Sequence, residues 1–290
     1  MIKIAACQYR LDPFLDWSEY TQKIEHLIQE AKATDAQLVL LPEYAGIEIA
    51  GNNFDEDGAL FSHLQMLLPQ YLAFYQTLAD QYGLYIQPGT IVAADSSHYF
   101  RNRAYFFGPN GKYHYQDKLH FVSSEKENNL LQPGEKQTLF KTALGAIGIA
   151  VCYDSEFPEV VSKLVQQGAM LILVPSYTPG IKSFHRVFYA CRARAIENQC
   201  YIMMSCAVGN VKFSDSHHQL IGQANIFSPI DDGFPDDGIL CQGAMNEVKT
   251  ISRSISYEKL QHVRQYGQVR NFQDSLIYHV DQAKIEEITL

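Results

Sequence analysis

The sequence predicts an α/β protein built on a mixed β-sheet covered by helices. Apolar runs of strand length alternate with amphipathic segments of helical period along much of the chain, the pattern of strand–helix units. A turn signal at Pro109-Asn110-Gly111, with more hairpin-like pieces from Asp236 onward, adds antiparallel strands, so the sheet is mixed and not purely parallel.

Taken in order, Ile2–Gln8 sets Ile2, Ile4, Ala6 and Gln8 against Lys3, Ala5 and Cys7, as an inner strand does. Trp17–Lys32 is amphipathic at helical period, with Tyr20, Ile24, Leu27, Ile28 and Ala31 on one side. Leu38–Pro42 is a short apolar run closed by proline, the mark of a strand buried on both faces. Leu67–Tyr82 reads as a helix ended by Gly83, and Leu84–Val92 as a strand. Arg103–Phe107 and Lys112–Lys118 flank the Pro-Asn-Gly turn as a hairpin. Ala146–Cys152 is a buried strand, and Pro158–Gln167 a helix with proline in its first turn and Gly168 past its end. Met170–Val174, a helix around Phe184–Asn198 and a strand at Tyr201–Cys206 complete the alternation.

The 290 residues are 47% hydrophobic, enough for a large buried core, and no low-complexity linker or repeat divides them, so one domain is expected. The formal charge of −9, with no clustered Lys or Arg, disfavours a nucleic-acid groove or an anionic membrane surface as partner. Ala143–Tyr153, the longest stretch without a charged residue or a strong polar break, is about half the ~20 apolar residues a membrane helix needs. Six scattered cysteines (Cys7, Cys152, Cys191, Cys200, Cys206, Cys241) have neither C-x-x-C spacing nor a neighbouring His. Free thiols, a cytoplasmic location and no metal site are expected. His217-His218 reads as a polar loop.

Four strand ends carry polar residues that the strands do not explain: Glu43 after LVLLP, Lys118 in YQDKLH, Cys152 after AIGIAV and Tyr177 after LILVPS. Ligands of open α/β sheets bind where strands end. Each alone has a plain alternative, since a lone Cys ending an apolar run is commonly a small core residue. Together they supply a thiol nucleophile, a carboxylate base and a cationic oxyanion donor, with the Tyr153 backbone N–H as a second donor.

These residues resemble the nitrilase superfamily of carbon–nitrogen hydrolases. LVLLPEY is similar to its glutamate motif, NRAYFFGPNGKYHYQDKLH to its lysine motif and IGIAVCYDSEFPE to its cysteine motif. ACRARAIENQCY (190–201) and GQANIFSPIDDG (222–233) extend the likeness, in order, from Ile4 to about Gly243. The resemblance implies a four-layer αββα sandwich with two mixed sheets, pairing across a dimer interface into αββα–αββα. It implies a carbon–nitrogen hydrolase domain over 1–245, with 246–290 as an extension of the same domain, in or near that interface. It also implies a cysteine hydrolase of a small linear amide that releases ammonia or an amine through an acyl-thioester, with no metal or organic cofactor. Cys152 is then the nucleophile, Glu43 the acid–base, and Lys118 with the Tyr153 N–H the oxyanion holders.

The superfamily carries a second glutamate near the lysine. Its usual spacing back from Pro133-Gly134 falls on Glu127, with Glu125 the runner-up and Glu135 expected in solvent. Asp154 and Glu159 are expected to cap the helix at Pro158. Glu156 departs from the Arg common in the superfamily; it either faces the pocket mouth, favouring amine-bearing or uncharged substrates, or makes a surface ion pair. Tyr177, His185 and Tyr189 are candidates for substrate contact. An N-carbamoyl-amine hydrolase or a nitrilase would use the same residues. A catalytically silent binding protein would have lost the nucleophile, base or lysine, and a redox-sensing thiol protein would need a resolving Cys beside Cys152.

Overall fold

Alternation in the first strand organises the molecule. The structure, a computed structural model, describes residues 1–12, 15–51, 54–95, 99–127, 129–213, 216–277 and 286–288. Its first half contains β1 (Ile2–Arg10), α1 (Trp17–Ala33), β2 (Leu38–Leu40), α2 (Asp57–Tyr82), β3 (Tyr85–Gln87), β4 (Ile91–Ala94), β5 (Phe100–Phe107) and β6 (Tyr113–Asp117). A short helix, α3 (Ser123–Glu127), leads to β7 (Phe140–Thr142), β8 (Gly145–Ile149), α4 (Pro158–Gln166), β9 (Leu171–Ser176), α5 (Ile181–Asn198) and β10 (Tyr201–Phe213). The chain continues through β11 (Ser216–Leu220), β12 (Asn225–Phe227), β13 (Ile239–Gln242), β14 (Lys249–Ile255), α6 (Tyr257–Tyr266) and α7 (Asn271–Ile277).

The expected mixed α/β architecture is present. Hydrogen bonds link the strands in the order β4-β5-β3-β2-β1-β10-β9-β8-β7. The run from β3 to β8 is parallel throughout. β4 and β6 pair antiparallel with β5, and β7 with β8. β1 pairs with β14 along Ile2–Gln8 but with β10 only over Gln8–Arg10, so the two halves join at one corner. Ala5, Cys7 and Tyr9 of β1 pack with the buried sides of α1 and α2. Ile4 and Ala6, with Leu38 and Leu40 of β2, face the other way and pack with β8, β9 and β10 and with α4 and α5. Each fully buried Leu or Ile in these clusters contributes about 1.5–3 kcal/mol.

Several local expectations are corrected. α2 begins at Asp57 and not Leu67, because buried Leu60, Phe61 and Leu64 extend its apolar face through Pro69; it ends at Gly83 with φ 62°, as expected. Leu84–Val92 is two strands, since Pro88 and Gly89 break the ladder between β3, which pairs with β2, and β4, which pairs with β5. The His217-His218 pair lies on β11, opposite Lys212 and Val211 of β10, and not in a loop. The tail after β14 adds two helices that the hairpin-like reading missed. All six cysteines are unpaired. Among the described residues, no helix is long and apolar enough to cross a membrane.

Gly89 sits at φ 75°, and a Cβ there would lie 1.7 Å from the Pro42 carbonyl oxygen, next to Glu43. Gly89→Ala is therefore expected to lower stability by about 3 kcal/mol, since backbone on both sides must move. A urea midpoint equal to that of the parent chain would contradict this.

Candidate active site

The parallel strands bring their carboxyl ends to one rim of the sheet, the place where α/β proteins bind ligands. Glu43 follows β2, Cys152 follows β8 and Tyr177 follows β9. β6 is antiparallel to β5, which is antiparallel to β3, so β6 runs with the central strands and delivers Lys118 to the same rim. The Lys118 backbone is held on both sides, its N–H donating to the Asn102 carbonyl at 2.9 Å and its carbonyl accepting from Gly134 N–H at 2.7 Å.

The side chains converge in a buried cluster. Lys118 Nζ donates to Glu43 Oε1 at 2.8 Å and to Glu125 Oε1 and Oε2 at 2.8 and 2.7 Å. Asn102 Nδ2 bridges the two carboxylates, at 3.0 Å to Glu43 Oε1 and 3.1 Å to Glu125 Oε1. Tyr44 hydroxyl donates to Glu125 at 2.6 Å, and Tyr177 N–H donates to Glu43 Oε2 at 3.0 Å. Cys152 opens the 3-10 turn Cys152–Glu156 at φ 48°, a left-handed conformation that strains a residue with a Cβ. Its Sγ lies 3.6 Å from the Tyr177 carbonyl.

Burial dominates the electrostatics. It pushes the Glu43 carboxyl above its ordinary range, with Glu125 adding to the rise and Lys118 opposing it. Burial alone would lower Lys118, yet Glu43 and Glu125 outweigh it and hold the ammonium charged. The Cys152 thiol is pushed well up by burial and by Glu43, against the pull of Lys118. Burial thus favours the thiol form of Cys152, with the Glu43 carboxyl beside it.

Glu43, Lys118, Glu125, Cys152 and Tyr153 line one cavity of about 670 Å³, walled by Tyr44 and Tyr177 in an edge-to-face pair with centroids 5.5 Å apart. A thiol, two carboxylates and an ammonium thus share one cavity. The profile of the family described as Carbon-nitrogen hydrolase matches residues 3–265. The chain belongs to this family. It is an enzyme of the carbon–nitrogen hydrolase class. The chain is 28% identical to "Probable hydrolase YhcX" of Bacillus subtilis over 98% of its own length, and spans only 56% of that relative. It is 26% identical to "Omega-amidase NIT2" of Xenopus tropicalis, covering 97% of this chain and 98% of that one. The crystal structure of Saccharomyces cerevisiae Nit3, a nitrilase-superfamily member, matches with TM-score 0.72 and 23% identity over 91% of this chain and 93% of that one.

The cavity of this hydrolase separates the sequence expectations. Glu43, Lys118, Cys152, Tyr153, Tyr177 and Glu156 all line it. The expectation of Glu127 against the lysine is corrected: Glu125 is buried and bonded to Lys118, whereas Glu127 is exposed at the cavity edge. His185 and Tyr189 are exposed on α5 and do not line the cavity, whereas Lys182, Ser183, Arg186 and Val187 of the same helix do. Glu156 answers to both of its readings, lining the cavity and pairing with Arg186 at 3.4 Å.

Asp154 does not cap α4, whose N-cap is Phe157 with no side-chain bond. It is buried and accepts from Leu119 and His120 N–H, from His120 Nδ1 at 3.0 Å and from Val151 N–H. The carboxylate thereby ties the cysteine turn to the segment leaving Lys118. Asp154→Ala would strand those buried donors; the expected result is about 3 kcal/mol less stability and a fall in kcat of about 10²-fold from misplacement. Wild-type kcat in the folded variant would sink that expectation. Asn102, Tyr44 and His218 also line or support the site and were not singled out from the sequence, although Tyr44 lies in LVLLPEY and Asn102 opens NRAYFFGPNGKYHYQDKLH.

Proposed function

We propose that this hydrolase cleaves the C–N bond of a small linear amide through a thioester on Cys152. Glu43 takes the thiol proton as Sγ attacks the carbonyl carbon, and the carbonyl electron pair moves onto oxygen. Lys118 Nζ and the Tyr153 N–H hold that oxyanion, each such donor contributing ~10²–10³ in rate. The intermediate collapses as Glu43 protonates the nitrogen, and ammonia or an amine leaves. Glu43 then deprotonates a water that attacks the thioester, releasing the acid and returning the proton to sulfur. Glu125 and Asn102 keep Lys118 and Glu43 in register. The scheme uses no metal or organic cofactor.

The observation that carries this reading is the meeting of Glu43, Lys118 and Cys152, from three separate strand ends, in one buried cluster. The raised Glu43 carboxyl suits a group that must both accept and return a proton near neutrality. The test is ammonia release from a panel of amides, N-carbamoyl amines and nitriles, with intact-mass detection of an acyl adduct on Cys152. Turnover with an adduct on an amide supports the reading; a panel with neither, while Cys152 alkylates freely, favours a silent binding protein.

The reading extends to assembly. We take the two joined half-sheets and their helices as a four-layer αββα unit spanning 1–245, continued by 246–290, that pairs with a second copy in the cytoplasm. Exposed Tyr266, Val269, Leu276 and Ile277 near the end of the chain are apolar surface that such pairing would cover.

A further inference from the structure

Glu156 closes the 3-10 turn that Cys152 opens, and both line the cavity. Four residues at the rise of such a turn separate them by roughly 8 Å along its axis, the reach of a short linear substrate. The Glu156 side chain is only 20% exposed, yet among the described residues its one ion-pair partner is Arg186, at 3.4 Å and itself 55% exposed. A carboxylate has about four acceptor positions, and a long contact to a solvated guanidinium fills them poorly. Burial accordingly disfavours the charged form of Glu156, with Arg186 opposing it.

The rest of the lining has the same sign. Glu43 and Glu125 outnumber Lys118 within, while Asp57, Glu127 and Glu156 outnumber Lys182 and Arg186 at the outer wall. Lys182 and Arg186 are exposed and screened, whereas Glu156 is largely withdrawn from water. A cavity with net negative lining concentrates cations and repels carboxylates.

We infer that the preferred substrates are linear amides whose far end carries a primary amine, its ammonium bound by Glu156 as Arg186 swings out to solvent. The inference rests on the thioester reading above. An ammonium supplies short charge-assisted hydrogen bonds where the guanidinium makes one long contact. An alkyl end leaves Glu156 poorly paired, and a carboxylate end adds like charge to the wall. Glu156 is thus a specificity residue, distinct from the groups that carry the bond cleavage.

The experiment compares matched probes on the full chain by ammonia release: γ-aminobutyramide, valeramide and glutaramate, then δ-aminovaleramide, hexanamide and adipamate. In at least one length series the aminoamide should exceed the alkyl amide in kcat/KM by about tenfold or more, with the carboxylate amide slowest. Glu156→Gln should pull the amine-to-alkyl ratio toward unity, chiefly through KM for the aminoamide. Arg186→Gln should raise the ratio by removing the competing cation, and it decides the matter if Glu156→Gln fails to fold. Turnover without an amine preference in either series, or a ratio untouched by the variants, overturns this inference alone. No turnover and no Cys152 adduct with any probe overturns the thioester reading and this inference together.

Discussion

Cys152→Ala is expected to abolish ammonia release, with at least ~10⁴-fold lower kcat on any amide the parent chain turns over. The magnitude follows from what remains. Glu43, Lys118 and Glu125 keep their mutual hydrogen bonds, so the pocket still binds, but nothing stands where the sulfur forms the thioester. Stability should stay within about 1 kcal/mol of the parent, because alanine nearly fills the space of the small buried thiol. A coupled ammonia assay and intact mass after substrate addition check both points, the acyl adduct vanishing with the activity. A variant that keeps more than ~1% of the parent rate would rule out Cys152 as nucleophile.

Lys118→Met is expected to cost both rate and fold. Losing one oxyanion donor lowers kcat by ~10²–10³, and the loss should fall on kcat more than on KM. Removing the ammonium also leaves Glu43 and Glu125 buried without their counter-ion, a change of about 3–5 kcal/mol. The pH dependence then has a defined sign. Without Lys118 the opposing pull on the Glu43 carboxyl disappears, so its folded value rises further above the unfolded one. A carboxyl raised on folding binds its proton more tightly in the native state, so stability falls as pH rises from the unfolded value through the folded one. The variant should therefore be nearest the parent in weakly acidic buffer and weakest in alkaline buffer. Urea midpoints compared across that range test this; a deficit that grows on acidification would overturn it.

Much of this site was legible in the chain. LVLLP, YQDKLH and AIGIAV each end a strand with the group that the cluster uses, and strand direction is enough to put such ends on one rim. The second glutamate was not legible in the same way. Glu125 and Glu127 lie two positions apart on one short helix, about 200° around its axis, so one faces Lys118 and the other solvent. Spacing back to Pro133-Gly134 measures distance along the chain and carries no information about that rotation. The same limit misplaced His185 and Tyr189, because the side of α5 that meets the cavity is set by how α5 packs beside the cysteine turn. Asp154 shows the remaining kind of error: an acid just before a helix looks like a cap, but its partners Leu119 and His120 come from a distant strand end.

The chain by itself determined the mixed α/β class and marked Glu43, Lys118 and Cys152 as polar groups at strand ends, because apolar period and strand-end chemistry are local properties of sequence. Only the tertiary structure decided that Glu125 carries the lysine, that Asp154 joins two loops and that Glu156 meets Arg186 on the cavity wall. The Asp154 and Glu156 contacts join segments far apart in sequence, and the nearby Glu125 contact depends on helix rotation; no local pattern encodes either.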